Sequence, residues 1–177
     1  MKLVYYPDEI LHEAATPVAD VDRRIKETAE QMLELMHQAR GIGLAGPQVG
    51  LLERLFVVHV PEDEPRVFIN PRIVEASLDT WEYEEGCLSI PKIYANIVRP
   101  EAITVEAIDQ NGKPLRYTAE GLLARVIQHE LDHLDGKLFI EYLTPRRQAR
   151  IMRAYKVPED PFEVTPEDLQ ESESGVE

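Results

Sequence analysis

The run His129-Glu130-Leu131-Asp132-His133 places two histidines four residues apart and is the sharpest chemical signal in the chain. Positions i and i+4 of a helix share one face, so two imidazoles in this run can clamp a single metal ion. The run closes a stretch built on Leu122, Leu123, Val126, Ile127 and Leu131, where burying two unpartnered imidazoles and a carboxylate is costly. A metal removes that cost; two hydrogen-bonded core histidines are the plainer alternative. Two ligands do not complete a catalytic site, which ordinarily takes three protein ligands and leaves one position open. One protease signature continues to a glycine three residues on and a histidine three beyond that; here Gly136 fits but the last position is Phe139. Glu141 and Glu159 are downstream carboxylates in ordinary surroundings. The other ligand type is thiolate, and the one cysteine, Cys87, lies in Glu85-Gly86-Cys87-Leu88-Ser89 at the end of a predicted strand. Alone it reads as a small buried hydrophobe. Beside the two histidines it makes a Cys-His-His set available, suited to Fe(II), Zn(II), Ni(II) or Co(II) with an open position.

These residues need elements to hold them. Val21, Ile25, Ala29, Met32, Leu33 and Met36 recur at helical spacing between Asp20 and Arg40, with Asp20 or Asp22 as cap and Gly41 and Gly43 as the stop. Arg54 to Val60 and Val67 to Ile69 read as strands, each run bounded by proline. Ile103, Val105 and Ala107 alternate with polar neighbours, and Asn111-Gly112 before Leu115 and Tyr117 signals a hairpin. The metal-bearing helix is predicted over about Thr118 to His133, ending at Gly136, and a third helix over Pro145 to about Lys156. Helices flanking a β-rich middle indicate an α+β fold.

A chain of 177 residues, 44% hydrophobic and 29% charged, suits one globular domain. No apolar run has the length of a membrane span or a secretory signal, so the expectation is a soluble, cytoplasmic protein without a membrane partner. A net charge of −14 repels a phosphate backbone and argues against nucleic-acid binding. Eight acidic and no basic residues fall in 158–177, so a domain over 1–157 followed by an acidic, solvated tail is expected. Gly41 to Gly46 is not a phosphate loop, because no Gly-Lys-Ser/Thr follows; it reads as a helix-to-strand loop open to close backbone approach.

Three segments in one order, GIGLAGPQ at 41–48, EGCLS at 85–89 and QHELDH at 128–133, make the chain resemble the peptide deformylases over about residues 1 to 155. The resemblance implies antiparallel β-sheets around a central HExxH helix, and hydrolysis of the formyl group from formylmethionine on nascent polypeptides, with the ribosome as a candidate meeting place. It implies Cys87, His129 and His133 as ligands of one divalent metal ion, with Fe(II) expected, and Glu130 as the acid-base group. The Gln48 side chain and the Leu88 backbone N–H become the oxyanion donors. Sequence proximity and helix phase place Ile42, Leu88, Ile127 and Leu123 near the metal as an apolar pocket for the methionine side chain, and Gly43 and Gly86 are further expected substrate contacts. Glu85 is expected to hold a ligand histidine and Arg99 to pair with Asp132. The chain departs from the family at Gly46, in place of the usual alanine, which should loosen the loop, and at Tyr94, where some members carry a substrate-contacting arginine. The acidic tail also replaces a longer C-terminal helix. The competing readings are an HExxH zinc endopeptidase with a carboxylate or histidine third ligand, and an inactive metal-binding module of the same fold.

Overall fold

The computed structural model describes residues 1–160 and 162. Among them, seven strands and three α-helices form two sheets and their flanking layers. Strands β1 (Gly43–Ala45), β2 (Leu55–Val58), β3 (Arg66–Ala76), β6 (Ala102–Ile108) and β7 (Pro114–Glu120) make an antiparallel sheet in the order β1-β2-β3-β6-β7. Strands β4 (Thr80–Cys87) and β5 (Ile90–Pro100) pair only with each other. Short 3-10 turns lie at Glu9–His12, Gly46–Val49 and Phe139–Tyr142.

Both faces of the larger sheet are covered, which explains why all four residues of β2 are apolar and buried. Helix α1 (Arg23–Gln38) lays Ile25, Ala29, Met32, Leu35 and Met36 against Leu55, Val57, Val67 and Ile69. Helix α2 (Gly121–Leu134) covers the opposite face, packing Ala124, Val126, Ile127 and Leu134 on Phe56, Val58, Phe68, Ile103 and Val105. A third cluster joins Ile90, Ile93, Ala95 and Ile97 of β5 to Leu11, Leu138, Phe139 and Ile140, fixing the smaller sheet beside α2.

Several boundaries differ from the sequence reading. Asp22 does cap α1, accepting from the Ile25 N–H at 3.0 Å, a bond worth about 1 kcal/mol. The left-handed residue that ends α1 is Arg40, with φ 58°, and not a glycine. Arg40 N–H donates to His37 O at 2.9 Å and Gly41 N–H to Met36 O at 2.8 Å, the paired bonds of a Schellman end. Gly43 already belongs to β1. Helix α2 starts three residues later than predicted, because Thr118, Ala119 and Glu120 stay paired with Thr104, Ile103 and Ala102 of β6. Gly121, at φ 56°, turns the chain from strand into helix. Helix α3 (Pro145–Met152), capped by Thr144, is shorter than expected. The β6–β7 hairpin is as read, with the Asp109 side chain accepting from Asn111 N–H and Lys113 N–H.

No helix of the described residues is long and apolar enough to cross a membrane. The predicted tail from 163 onward lies outside the described residues. Phe162, inside its expected range, accepts from Leu3 N–H at 2.8 Å through its carbonyl.

Candidate metal centre

Helix α2 delivers two candidate ligands by geometry alone: His129 and His133 are one turn apart and both buried. The sulfur arrives from elsewhere. Cys87 ends β4, where the β4–β5 pairing is irregular: Glu85 faces Ala95, but Cys87 faces Ile90, so Pro91 to Tyr94 bulge out opposite Gly86. This bulge carries Cys87 to the helix. Sγ lies 3.4 Å from His133 Nε2, the two Nε2 atoms are 3.2 Å apart, and all three donor atoms lie within 4.8 Å of one another.

The spacing fits a metal ion. Ligands on a tetrahedral zinc-type ion, at its usual bond lengths, stand about 3.3 Å apart for two nitrogens and about 3.6 Å for nitrogen and sulfur. The donor chemistry agrees. Glu85 Oε2 lies 2.9 Å from His129 Nδ1, and a carboxylate only accepts, so Nδ1 donates there and Nε2 faces the other two donors. Burial lowers the pKa of His129, but hydrogen bonds to Cys87 and Glu85 outweigh it and raise the pKa well above the ordinary value, so an ion bound at Nε2 must displace a proton. Burial and the neighbouring His129 push the pKa of His133 well below the ordinary value, keeping it neutral, as a ligand must be. Of the other carboxylates considered as ligands, Glu141 turns away to accept from Leu138 N–H at 2.5 Å, and Glu159 is exposed.

Around the ligands lies a charged cluster of unusual density for a protein interior. Glu85 accepts from Arg99 at 2.5 and 3.0 Å and from Arg125 at 2.7 Å, besides His129. Burial raises its pKa, but the hydrogen bonds from His129 and Arg99 outweigh burial and hold the carboxyl well below the usual range. Arg99 also donates to Asp132 Oδ2 at 2.9 Å, the expected pair, and Tyr142 OH donates to the same oxygen at 2.8 Å.

Gln48 is 1% exposed and aimed at the centre. Ala45 N–H donates to Gln48 Oε1 at 2.9 Å, which turns the amide NH2 toward Cys87 Sγ at 3.4 Å and Ser89 Oγ at 3.2 Å. Leu88 follows Cys87 in the two-residue turn before Ile90. Glu130 is buried, and its Oε2 has no partner among the described residues. Burial, together with the negative charge of Glu85, pushes its pKa up to about 7 against the pull of His129. A Cβ on Gly43 would stand 2.3 Å from Glu130 Oε1, so glycine at the sheet edge is what leaves room for that carboxylate.

A cavity of about 870 Å³ opens over these groups, lined among others by Ile42, Gly43, Tyr83, Leu122, Val126 and Glu130. Gly86 and Leu88 also line it. Ile127 does not: it is fully buried in the core between α2 and the large sheet, because a helix turns about 100° per residue and Val126 takes the cavity-facing direction. Leu123 likewise packs on that core, and Leu122 lines the cavity in its place. Sequence reasoning also missed Tyr83 and Arg125. A charged residue interrupting the apolar face one turn before His129 was the available signal for the latter. The Gly46 expectation is reversed, since a Cβ there would meet the carbonyls of Glu53 and Leu51 at 2.6 and 2.7 Å. Glycine at 46 lets two backbones approach and does not loosen the loop. Tyr94 is 60% exposed, and its ring lies across Gly86 at the cavity wall.

An antiparallel α+β fold around an HExxH helix, with a cysteine completing the donor set, defines a narrow class of metal-site proteins. The chain belongs to the polypeptide deformylase family, whose model matches residues 1–149. It is 47% identical over 157 residues to a peptide deformylase of Rhizobium meliloti, covering 86% of this chain and 90% of that protein. Against a peptide deformylase of Neisseria meningitidis the identity is 49% over 158 residues, covering 88% and 94%. The crystal structure of a peptide deformylase from Legionella pneumophila superposes with a TM-score of 0.82 at 44% identity, covering 86% of this chain and 90% of that one. One from Synechococcus elongatus in complex with actinonin gives 0.83 at 41%, covering 86% of each.

Proposed function

We infer that the protein is a metal-dependent hydrolase that removes the formyl group from the N-terminal formylmethionine of nascent polypeptides, releasing formate. The observation that carries the reading is the convergence of Cys87, His129 and His133 within 4.8 Å, with the Gln48 amide and the Glu130 carboxyl beside them at one cavity. Cys87, His129 and His133 would hold one divalent ion. Fe(II) is our assignment, with Zn(II), Ni(II) and Co(II) compatible with the same donors. When bound, the ion supplies Lewis acidity that polarises the formyl carbonyl and makes water a better nucleophile near neutral pH.

The chain's own residues do the rest. Strand β1 is the edge of the large sheet, and a substrate peptide can lie along it as an added strand. Ile42, Tyr83, Leu122 and Val126 offer the methionine side chain an apolar wall. As negative charge develops on the formyl oxygen, the Gln48 Nε2 hydrogens and the Leu88 backbone N–H donate to it. Glu130 takes a proton from the attacking water and delivers it to the departing amine nitrogen, a role that suits a buried carboxyl whose pKa stands at about 7. We assign the protein to the cytoplasm, with formylmethionyl nascent chains as its partners.

The test is formate release from formyl-Met-Ala-Ser after anaerobic purification, with metal content measured in parallel. Glu130→Gln should cut turnover by about 10² to 10⁴ while retaining metal. The reading is wrong if the wild type releases no formate, or if Glu130→Gln matches it. An endopeptidase would need a carboxylate or histidine third ligand. Against that, Cys87 is the residue that stands with the His129–His133 pair in a group able to hold an ion among the described residues.

A further inference from the structure

The donor atoms come from two separate bodies, helix α2 and the β4–β5 hairpin, whose strands pair with no other strand. Their relative placement decides whether the sulfur meets the imidazoles. Arg125 sits one turn before His129 on the same face of α2 and is 3% exposed. Its Nη1 donates to Glu85 Oε1 at 2.7 Å and to Ile97 O at 2.9 Å, and its Nη2 donates to Trp81 O. Trp81 and Glu85 belong to β4 and Ile97 to β5, so one guanidinium from the helix grips both strands of the hairpin. The guanidinium carbon also lies 5.1 Å from the centre of the Trp81 ring, which packs against the Tyr83 ring. Arg99 makes the reverse connection, from β5 to Asp132 on α2. Two of the three acceptors of Arg125 are backbone carbonyls, so the grip fixes hairpin position and not only the charge of Glu85.

We propose that Arg125 is a positioning residue that pins the β4–β5 hairpin to helix α2, holding Cys87 in register with His129 and His133 so that the donor set stands assembled before an ion arrives. An apolar side chain would fill this space without the desolvation cost of a buried guanidinium. The fork geometry is what an apolar residue lacks, and lysine cannot reproduce it with a single ammonium.

The test uses the full chain stripped of metal, with Arg125→Met and Arg125→Lys beside the wild type. Zn(II) affinity is measured by chelator competition, and Co(II) is added to read the thiolate-to-metal charge-transfer band. Arg125→Met should lower Zn(II) affinity by about 10- to 100-fold and weaken that band. Arg125→Lys should show a smaller loss, about threefold to tenfold, because one ammonium satisfies only part of the grip. If Arg125→Met does not fold, Arg125→Lys decides alone. Affinity within twofold of wild type, with an undiminished charge-transfer band, overturns the proposal even if the melting temperature falls, since that pattern describes a stabilising residue that positions nothing. The inference rests on the three residues being metal ligands. Failure of the wild type to bind Zn(II) would sink that reading, whereas normal wild-type binding with unaffected variants would sink only this one.

Discussion

The two halves of the metal centre are held by different physics. Helix α2 presents His129 and His133 through its own backbone hydrogen bonds, and its apolar side is anchored in the core against Phe56, Phe68 and Val105. The tip of the β4–β5 hairpin rests on a separate, smaller cluster, where Ile90 and Cys87 pack with Leu11, Leu138 and Phe139. Cys87 reaches the helix because the pairing slips between Glu85 and Cys87, and because Arg99 and Arg125 tie Glu85 to the helix side. Regular secondary structure supplies the precise pair of candidate donors, while a bulge and a buried charge cluster place the third. The contrast shows that spacing within one element is robust, whereas a contact between elements depends on every bond across the joint.

Removing a ligand from either half should abolish tight metal retention, so Cys87→Ala and His133→Ala are both expected to lose metal and formate release. Metal analysis after gel filtration checks this. Full metal occupancy in Cys87→Ala would erase the distinction between the halves and favour an endopeptidase-like ligand set. Next in size is Gly43→Ala, whose new Cβ would overlap the buried Glu130 carboxylate. Glu130 is buried and Val126 Cγ1 also stands 2.8 Å from that Cβ, so a cost of about 1 to 3 kcal/mol and a drop in kcat with metal retained are expected. Gly86→Ala makes an overlap of similar closeness, 2.7 Å, but with the ring of Tyr94, which is 60% exposed and free to move outward. Its effect should stay near or below about 1 kcal/mol and be relieved by adding Tyr94→Ala. Equal effects at the two glycines would break the contrast between a rigid helix side and a yielding hairpin side.

The smallest effect expected lies away from the centre. His59 Nε2–H donates to Asp63 O at 2.9 Å, which leaves its Nδ1 to accept from His37 Nε2–H at 2.8 Å. Burial first, and then the nearness of His59, lowers the pKa of His37 below its ordinary value of 6.5. A base with a lowered folded pKa contributes stability above its unfolded pKa and loses it as pH falls through that value. Thermal unfolding should therefore show a drop of roughly a degree or two between about pH 7.5 and 5.5 that is absent in His37→Gln. An unchanged profile in the variant would refute it.

Much of the fold was legible because its signals are local. The apolar period of α1, the alternation of β6 and β7 and the glycine after α2 report elements that the chain forms with its neighbours. Errors gathered where a distant segment decides. Thr118 to Glu120 read as helix until strand pairing with β6 claimed them. Gly46 read as slack until the carbonyls of Leu51 and Glu53 were seen against it. Ile127 read as a pocket residue because sequence nearness to His129 says nothing about which side of α2 faces the cavity. Leu122 and Val126 were missed for the same reason, and Tyr83 because only the packing of β4 beside α2 brings it to the cavity.

What the amino-acid order determined by itself is the pair of imidazoles on one helical face, the carboxylate between them and the identity of the one available thiol, because helical phase and residue type need no partner. What only the tertiary structure decided is that this thiol meets those imidazoles, that Gln48 turns its amide toward the sulfur, and that two arginines converge on Glu85. Those contacts join residues roughly 40 positions apart, and only packing and hydrogen bonding between elements can bring them together.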